Sequence, residues 1–215
     1  MVTQELPVIE RETLVDRPQC REGQVIGVVL AAGGSERFGE ENKLLATVNG
    51  RPMVDHAVST FDASRLETVV VIVGNDAEAV KRAIDSTTVT TIENEHWHEG
   101  QSTSVRTGLT VANEQQADGV IFGLGDMPWL SSTTVDILVD GYYRTEASVI
   151  AAAYEGKRGN PVLFARETFD TLSEIEGDKG GRNVLLQADD AIAIETGDPG
   201  VRRDIDRPED LSNVR

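Results

Sequence analysis

Apolar positions along this chain come in two forms, short unbroken runs and stripes at helical spacing, and the two forms alternate. Residues 25–32 (VIGVVLAA), 68–73 (TVVVIV) and 119–124 (GVIFGL) are nearly continuous apolar runs, the pattern of parallel strands covered on both faces. Residues 87–92 are β-branched and predict a further strand. Between the runs, Val54, Ala57, Val58 and Phe61 fall at i, i+3, i+4 and i+7 and make one helix face. A short helix is expected around Val80 to Ile84. Val105, Gly108, Leu109 and Ala112 line another, and Val135, Leu138, Val139 and Tyr142 a fourth. Strand–helix alternation of this kind predicts an α/β fold, a three-layer Rossmann-like arrangement around a mostly parallel sheet with right-handed crossovers. In such sheets ligands bind outside the carboxyl ends of the strands, where strand order reverses. Chemistry is therefore expected just after Ala32, Val73, Ile92 and Leu124. Residues 1–24 lack periodicity and contain Pro7 and Pro18, so they read as an extension or mobile arm before a single domain over 25–215.

Composition narrows the partners. The 215 residues are 39% hydrophobic and 27% charged, enough for one good core. No apolar run reaches the roughly 18 residues of a membrane helix, so no membrane association is expected. Thirty-seven acids against 20 bases leave a net charge of −17, a field that repels a phosphodiester backbone and argues against nucleic acid. Only four of the bases are lysines (Lys43, Lys81, Lys157, Lys179), a balance suited to a protein kept soluble in a high-salt, halophilic cytosol. Cys20 stands alone and has no partner within the chain for a disulfide. A soluble cytoplasmic protein is the expectation.

Six segments carry candidate chemistry. After the first run come Gly33, Gly34 and Ser35, then Arg37 and Lys43. Paired glycines let backbone N–H groups approach an anion, while arginine and lysine supply full charges for a polyphosphate. The loop is neither G-x-x-x-x-G-K-[ST] nor G-x-G-x-x-G, and no acid stands where a dinucleotide fold needs one; the nearest, Asp76, comes too late. Gly125-Asp126-Met127-Pro128 puts a carboxylate at a strand's carboxyl end, a good ligand for Mg²⁺, which prefers carboxylates, waters and substrate phosphates. Asp206 is either a second metal ligand or the cap of a helix opened by Pro208. Gly100 to Arg106 starts a helix with short polar residues, among which Gln101 and Ser102 can also read a base edge. Two glycine-bearing segments, around Gly159–Asn160 and Asp178–Gly180–Arg182, stand in the last third. His96 and His98 have no third ligand nearby, which argues against zinc.

Taken together, LAAGGSERFG with Lys43, GQSTSVRTGL, GDMP, GNPVLF, GDKGGR and DIDRPEDL resemble the nucleotidyltransferases that attach a nucleotide to molybdopterin, and within them the molybdenum cofactor cytidylyltransferases. The resemblance runs from about Ile26 to Leu211; Gly181 departs from it, standing where the family has alanine. It implies CTP as the nucleoside triphosphate, Ala32 taking the place of a glycine found in the guanylyl branch. It also implies molybdopterin as the phosphorylated acceptor, release of pyrophosphate, and transient contact with molybdoenzymes or their chaperones. On this basis Leu30 to Ser35, Arg37, Lys43, Gln101, Ser102 and Ser104 would hold the nucleotide. Arg37, Lys43 and Asp126 would be catalytic, and Asp126 and Asp206 would bind Mg²⁺. Gly159, Asn160, Asp178, Gly180 and Arg182 would meet the acceptor. Other readings are a nucleotidyltransferase for a sugar phosphate, polyol phosphate or small phospho-acid, and a nucleotide-binding module without catalysis.

Overall fold

Successive residues of the first long strand point into two different cores, which is why that stretch is apolar throughout. Val25, Val29 and Ala31 face one core; Ile26, Val28 and Ala32 face the other. The computed structural model describes residues 6–34, 38–39 and 41–211. In chain order its main elements are β1 (Val8–Glu10), α1 (Glu12–Val15), β2 (Val25–Ala31), a small hairpin of β3 (Thr47–Val48) and β4 (Arg51–Pro52), α2 (Met53–Asp62), β5 (Val69–Val73), α3 (Ala77–Ala83), β6 (Thr90–Glu93), α4 (Gln101–Glu114), β7 (Gly119–Leu124), α5 (Ser132–Arg144), β8 (Val149–Tyr154), β9 (Lys157–Ala165), α6 (Phe169–Ser173), α7 (Arg182–Gln187) and β10 (Ile192–Glu195).

Eight strands form one sheet in the order β1-β10-β8-β9-β7-β2-β5-β6. Every neighbouring pair is parallel except the two that involve β9, which runs against both β7 and β8. Residues of α2, α3 and α5 pack on one face of the sheet, and those of α4, α6 and α7 on the other. Close approach is achieved with glycine: a Cβ on Gly123 would lie 2.4 Å from the Phe61 ring, so the absence of one seats α2 on β7.

From β2 the chain crosses to β5 and β6 on one side, then returns to β7 on the other. The gap between the ends of β2 and β7 is thus the switch point, where the loops diverge and leave a crevice.

Two parts of the chain depart from the sequence expectation. Residues 8–15 are no free arm. Val8–Glu10 pairs in parallel with β10 at the sheet edge, and Leu14 of α1 is buried against the core that contains α5. Arg21 then ties down the following segment, donating to Glu146 O and Glu167 Oε1, both at 2.8 Å. Three strand residues are too few to show a period. In the last third, β9 begins Lys-Arg-Gly-Asn-Pro, polar and interrupted by proline, so its first half does not read as a strand although it pairs as one.

Candidate active site

A cleft of about 810 Å³ opens at the switch point. Gly33 and Gly34 come from the loop after β2, and Gly125 and Asp126 from the loop after β7. The backbone holds these two loops together: Gly125 N–H donates to Leu30 O at 2.9 Å. Around Gly33 there is open space, while Gly34 is backed by the indole of Trp97, 3.0 Å from where a Cβ would stand.

Lys43 crosses the cleft. Its Nζ donates to Asp126 Oδ2 (2.5 Å), Ile205 O (3.1 Å) and Asp206 Oδ1 (3.4 Å). Burial works to lower the ammonium's pKa, but Asp126 and Asp206 outweigh it and hold the lysine above its ordinary value, firmly charged. Asn42 sets the turn that presents it, its Oδ1 accepting from Leu44 N at 3.0 Å and its Nδ2 donating to Asn75 O at 3.2 Å. Ile205 N–H donates to Asp126 O at 3.1 Å, so the segment of Asp204 to Asp206 is stitched to the β7 loop.

Asp126 has one oxygen on Lys43. The other, Oδ1, is buried without a hydrogen-bond partner among the described residues. Burial pushes this carboxyl upward, and the charge of Asp204 adds to that, against the opposing pull of Lys43. A buried, half-satisfied carboxylate is short of positive charge. Among the described residues no three histidine, cysteine or acidic side chains gather as a complete metal cage. One or two carboxylates that leave the remaining positions to water and phosphate oxygen are the donor set Mg²⁺ and similar hard cations use. Asp126 and Asp206 fit that description.

Of the residues expected to hold the nucleotide, Leu30, Ala32, Gly33, Gly34, Lys43, Gln101 and Ser104 line this cleft. Ser104 is fixed by buried Asn94, whose Nδ2 donates to its hydroxyl at 3.0 Å. Ala31 and Ser102 do not line it. Ala31 faces the opposite core because strand residues alternate, and Ser102 is buried, one step round the helix from the Gln101–Ser104 face. Ser35 and Arg37 lie outside the described residues. The expected acceptor residues Gly159, Asn160, Asp178, Gly180 and Arg182 all line a second cavity of about 500 Å³. It shares Leu30, Gln101, Leu124, Asp178 and Arg182 with the first. Asp178 belongs to the turn that covers the start of α4, where a Cβ on Gly100 would meet Gly177 at 2.6 Å. As for the cap alternative at Asp206, the capping runs the other way: Asp210 Oδ2 accepts from the N–H groups of Asp206 (3.1 Å) and Arg207 (2.8 Å).

Three of the lining residues that sequence reasoning passed over bear on the chemistry. Trp97 carried only the signal of an aromatic after a strand; Asp204 stood in the same motif as Asp206; and Arg158 preceded a glycine already singled out. Asp76 lines neither cavity, in keeping with the missing ribose acid of a dinucleotide site.

Comparison with known proteins identifies the family. The family model described as MobA-like NTP transferase domain matches residues 27–192. The chain belongs to that family. As a MobA-like nucleotidyltransferase it is 29% identical to the purine catabolism protein PucB of Bacillus subtilis, over 91% of this chain and 98% of that one. It is also 29% identical to nicotine blue oxidoreductase of Paenarthrobacter nicotinovorans, over 87% of this chain and 94% of that one. Among solved structures, Rv0371c of Mycobacterium tuberculosis H37Rv superposes with a TM-score of 0.75 at 24% identity, covering 89% of this chain and 97% of that one. The same protein is also known in complex with manganese (TM-score 0.70). These solved structures share the fold: a mostly parallel sheet with helices on both faces.

Proposed function

We propose that this MobA-like nucleotidyltransferase moves CMP from CTP to the terminal phosphate of molybdopterin, releasing pyrophosphate. One observation carries the reading: the glycine turn at 33–34 and the half-satisfied carboxylate of Asp126 line one cleft at the switch point, with charged Lys43 paired to that carboxylate.

The chemistry asks for position and charge rather than a strong base, because a phosphate nucleophile is already ionised near neutral pH. Backbone N–H groups of Gly33, Gly34 and Ser35 receive the triphosphate oxygens, and Gln101 and Ser104 at the start of α4 orient the base and ribose. Lys43 meets the charge that builds on the α-phosphoryl oxygens, with Arg37 on the leaving pyrophosphate. Asp126 and Asp206 would hold Mg²⁺, which would supply positive charge to offset that of the triphosphate. Manganese in the Rv0371c complex supports a divalent ion here. The cleft itself supports it too: Asp126, Asp178, Asp204 and Asp206 face Lys43 and Arg182, so a triphosphate entering without a cation meets net repulsion. The acceptor phosphate enters from the second cavity, where Gly159, Asn160, Asp178, Gly180 and Arg182 line the wall.

The test is pyrophosphate release by the purified protein with Mg²⁺ and CTP, GTP or UTP, against molybdopterin, a sugar phosphate and a polyol phosphate. CTP with molybdopterin is expected to turn over fastest. Turnover with a sugar phosphate and none with molybdopterin would replace the acceptor assignment.

A further inference from the structure

The second cavity has a character of its own. Its floor is apolar, built from Val105, Phe122, Val162, Phe164 and Leu185, with the two phenylalanine rings edge to face at 6.1 Å. Two guanidinium groups line it, Arg158 of β9 and Arg182 at the start of α7. Neither has a hydrogen bond or ion pair with a described residue. Burial and the like charge of Arg182 pull the pKa of Arg158 down, and no carboxylate counters them, although Asp178 lines the same cavity. In a chain carrying 37 acids, two neighbouring arginines left without an acid are conspicuous. Like charges held at an apolar cavity are unfavourable until an anion lies between them, and a guanidinium fork fits phosphate oxygens in pairs.

We propose that Arg158 and Arg182 form a clamp for the phosphate of the acceptor, a phosphate monoester whose flat ring system lays one face on the Phe122–Phe164 floor. Arg158 is on this view a binding and positioning residue that sets acceptor specificity. The clamp selects the charge and the floor selects a ring over a hydroxyl-rich sugar, whose polar groups would lie unpaired against phenylalanine. The proposal rests on the nucleotidyl-transfer reading for the word acceptor alone, since the clamp is defined by what it binds.

Calorimetric titration of the full chain tests it, with phenyl phosphate, glucose 1-phosphate and inorganic phosphate as probes and Mg-CTP titrated in parallel. Phenyl phosphate is expected to bind more tightly than the other two. Arg158→Gln and Arg182→Gln should each weaken phenyl phosphate by about tenfold or more and Arg158→Lys by less; the two Arg158 variants should leave Mg-CTP affinity and melting temperature near wild type, since Arg158, unlike Arg182, does not line the nucleotide cleft. Arg182 is exposed, so its variant keeps the test decisive if Arg158→Gln fails to fold. Unchanged phenyl phosphate binding in the glutamine variants overturns the clamp, as does an equal loss of Mg-CTP binding in Arg158→Gln. Tighter binding of glucose 1-phosphate overturns the flat-ring specificity. Phenyl phosphate binding that depends on both arginines, in a protein that releases no pyrophosphate with any acceptor, would support the clamp and reject the transfer reading.

Discussion

Lys43 is both a structural tie and a charge in the cleft, and the two roles separate on mutation. Removing its ammonium leaves Asp126 and Asp206 facing each other without their shared cation. Lys43→Ala is expected to lower kcat/KM by about 10²–10³-fold, the usual loss for one well-placed charge on a developing oxyanion. Steady-state kinetics decide the role: a normal saturated rate with only a raised nucleotide KM would make Lys43 a ground-state binder. Asp126→Asn keeps the shape but not the charge that a divalent cation needs. Turnover should disappear while the melting temperature stays within a few degrees, and manganese titration in the presence of nucleotide should show weakened metal binding. Appreciable turnover in that folded variant would remove Asp126 from the metal site.

At the level of elements, the edge formed by β1 and α1 makes a contrasting prediction. Five strand intervals separate β1 from β2, about 24 Å at the usual spacing, so the edge contributes stability without touching the cleft. Leu14→Ala should destabilise by about 2–3 kcal/mol, the lower part of the range for a buried leucine because the site lies at the periphery. Thermal melting measures that loss; a fall in kcat of the remaining folded protein would show that the edge is coupled to the site. The same elements show what a sequence reveals. Strands β2, β5 and β7 are covered on both faces and announce themselves as apolar runs, and α2, α4 and α5 each bury one stripe. What stayed hidden depends on contacts distant in the chain. β1 is a strand because β10 is beside it, and the polar half of β9 is one because β8 turns back on it. In the site, Gly33, Gly34, Lys43 and Asp126 were legible as residue types suited to phosphate and metal. Trp97 behind Gly34, and Arg158 beside Arg182, became visible only when the chain was folded.

Across the whole molecule, the excess of 17 negative charges sets how stability responds to salt. Two effects compete. Added ions weaken ion pairs such as Arg11–Glu12 and Lys81–Glu78, which stand in solvent and are individually weak. The same ions screen the mutual repulsion of the uncompensated carboxylates, and screening shortens the reach of each charge from about 30 Å at 0.01 M salt to about 10 Å at 0.1 M. Repulsion acts across the surface, whereas the pairs that salt weakens are few and local, so screening wins and folding is stabilised. The melting temperature is expected to climb from low salt to about 0.5 M, with NaCl and KCl equivalent because screening counts charge and not identity. Each kcal/mol gained moves it by about 2–4 °C for a chain of this size. Differential scanning calorimetry at fixed pH measures the trend, and a flat or falling curve would mean that local ion pairs outweigh the net charge. A further rise confined to molar KCl would show specific ion hydration at the acidic surface, the behaviour that scarce lysine and abundant carboxylate suggest.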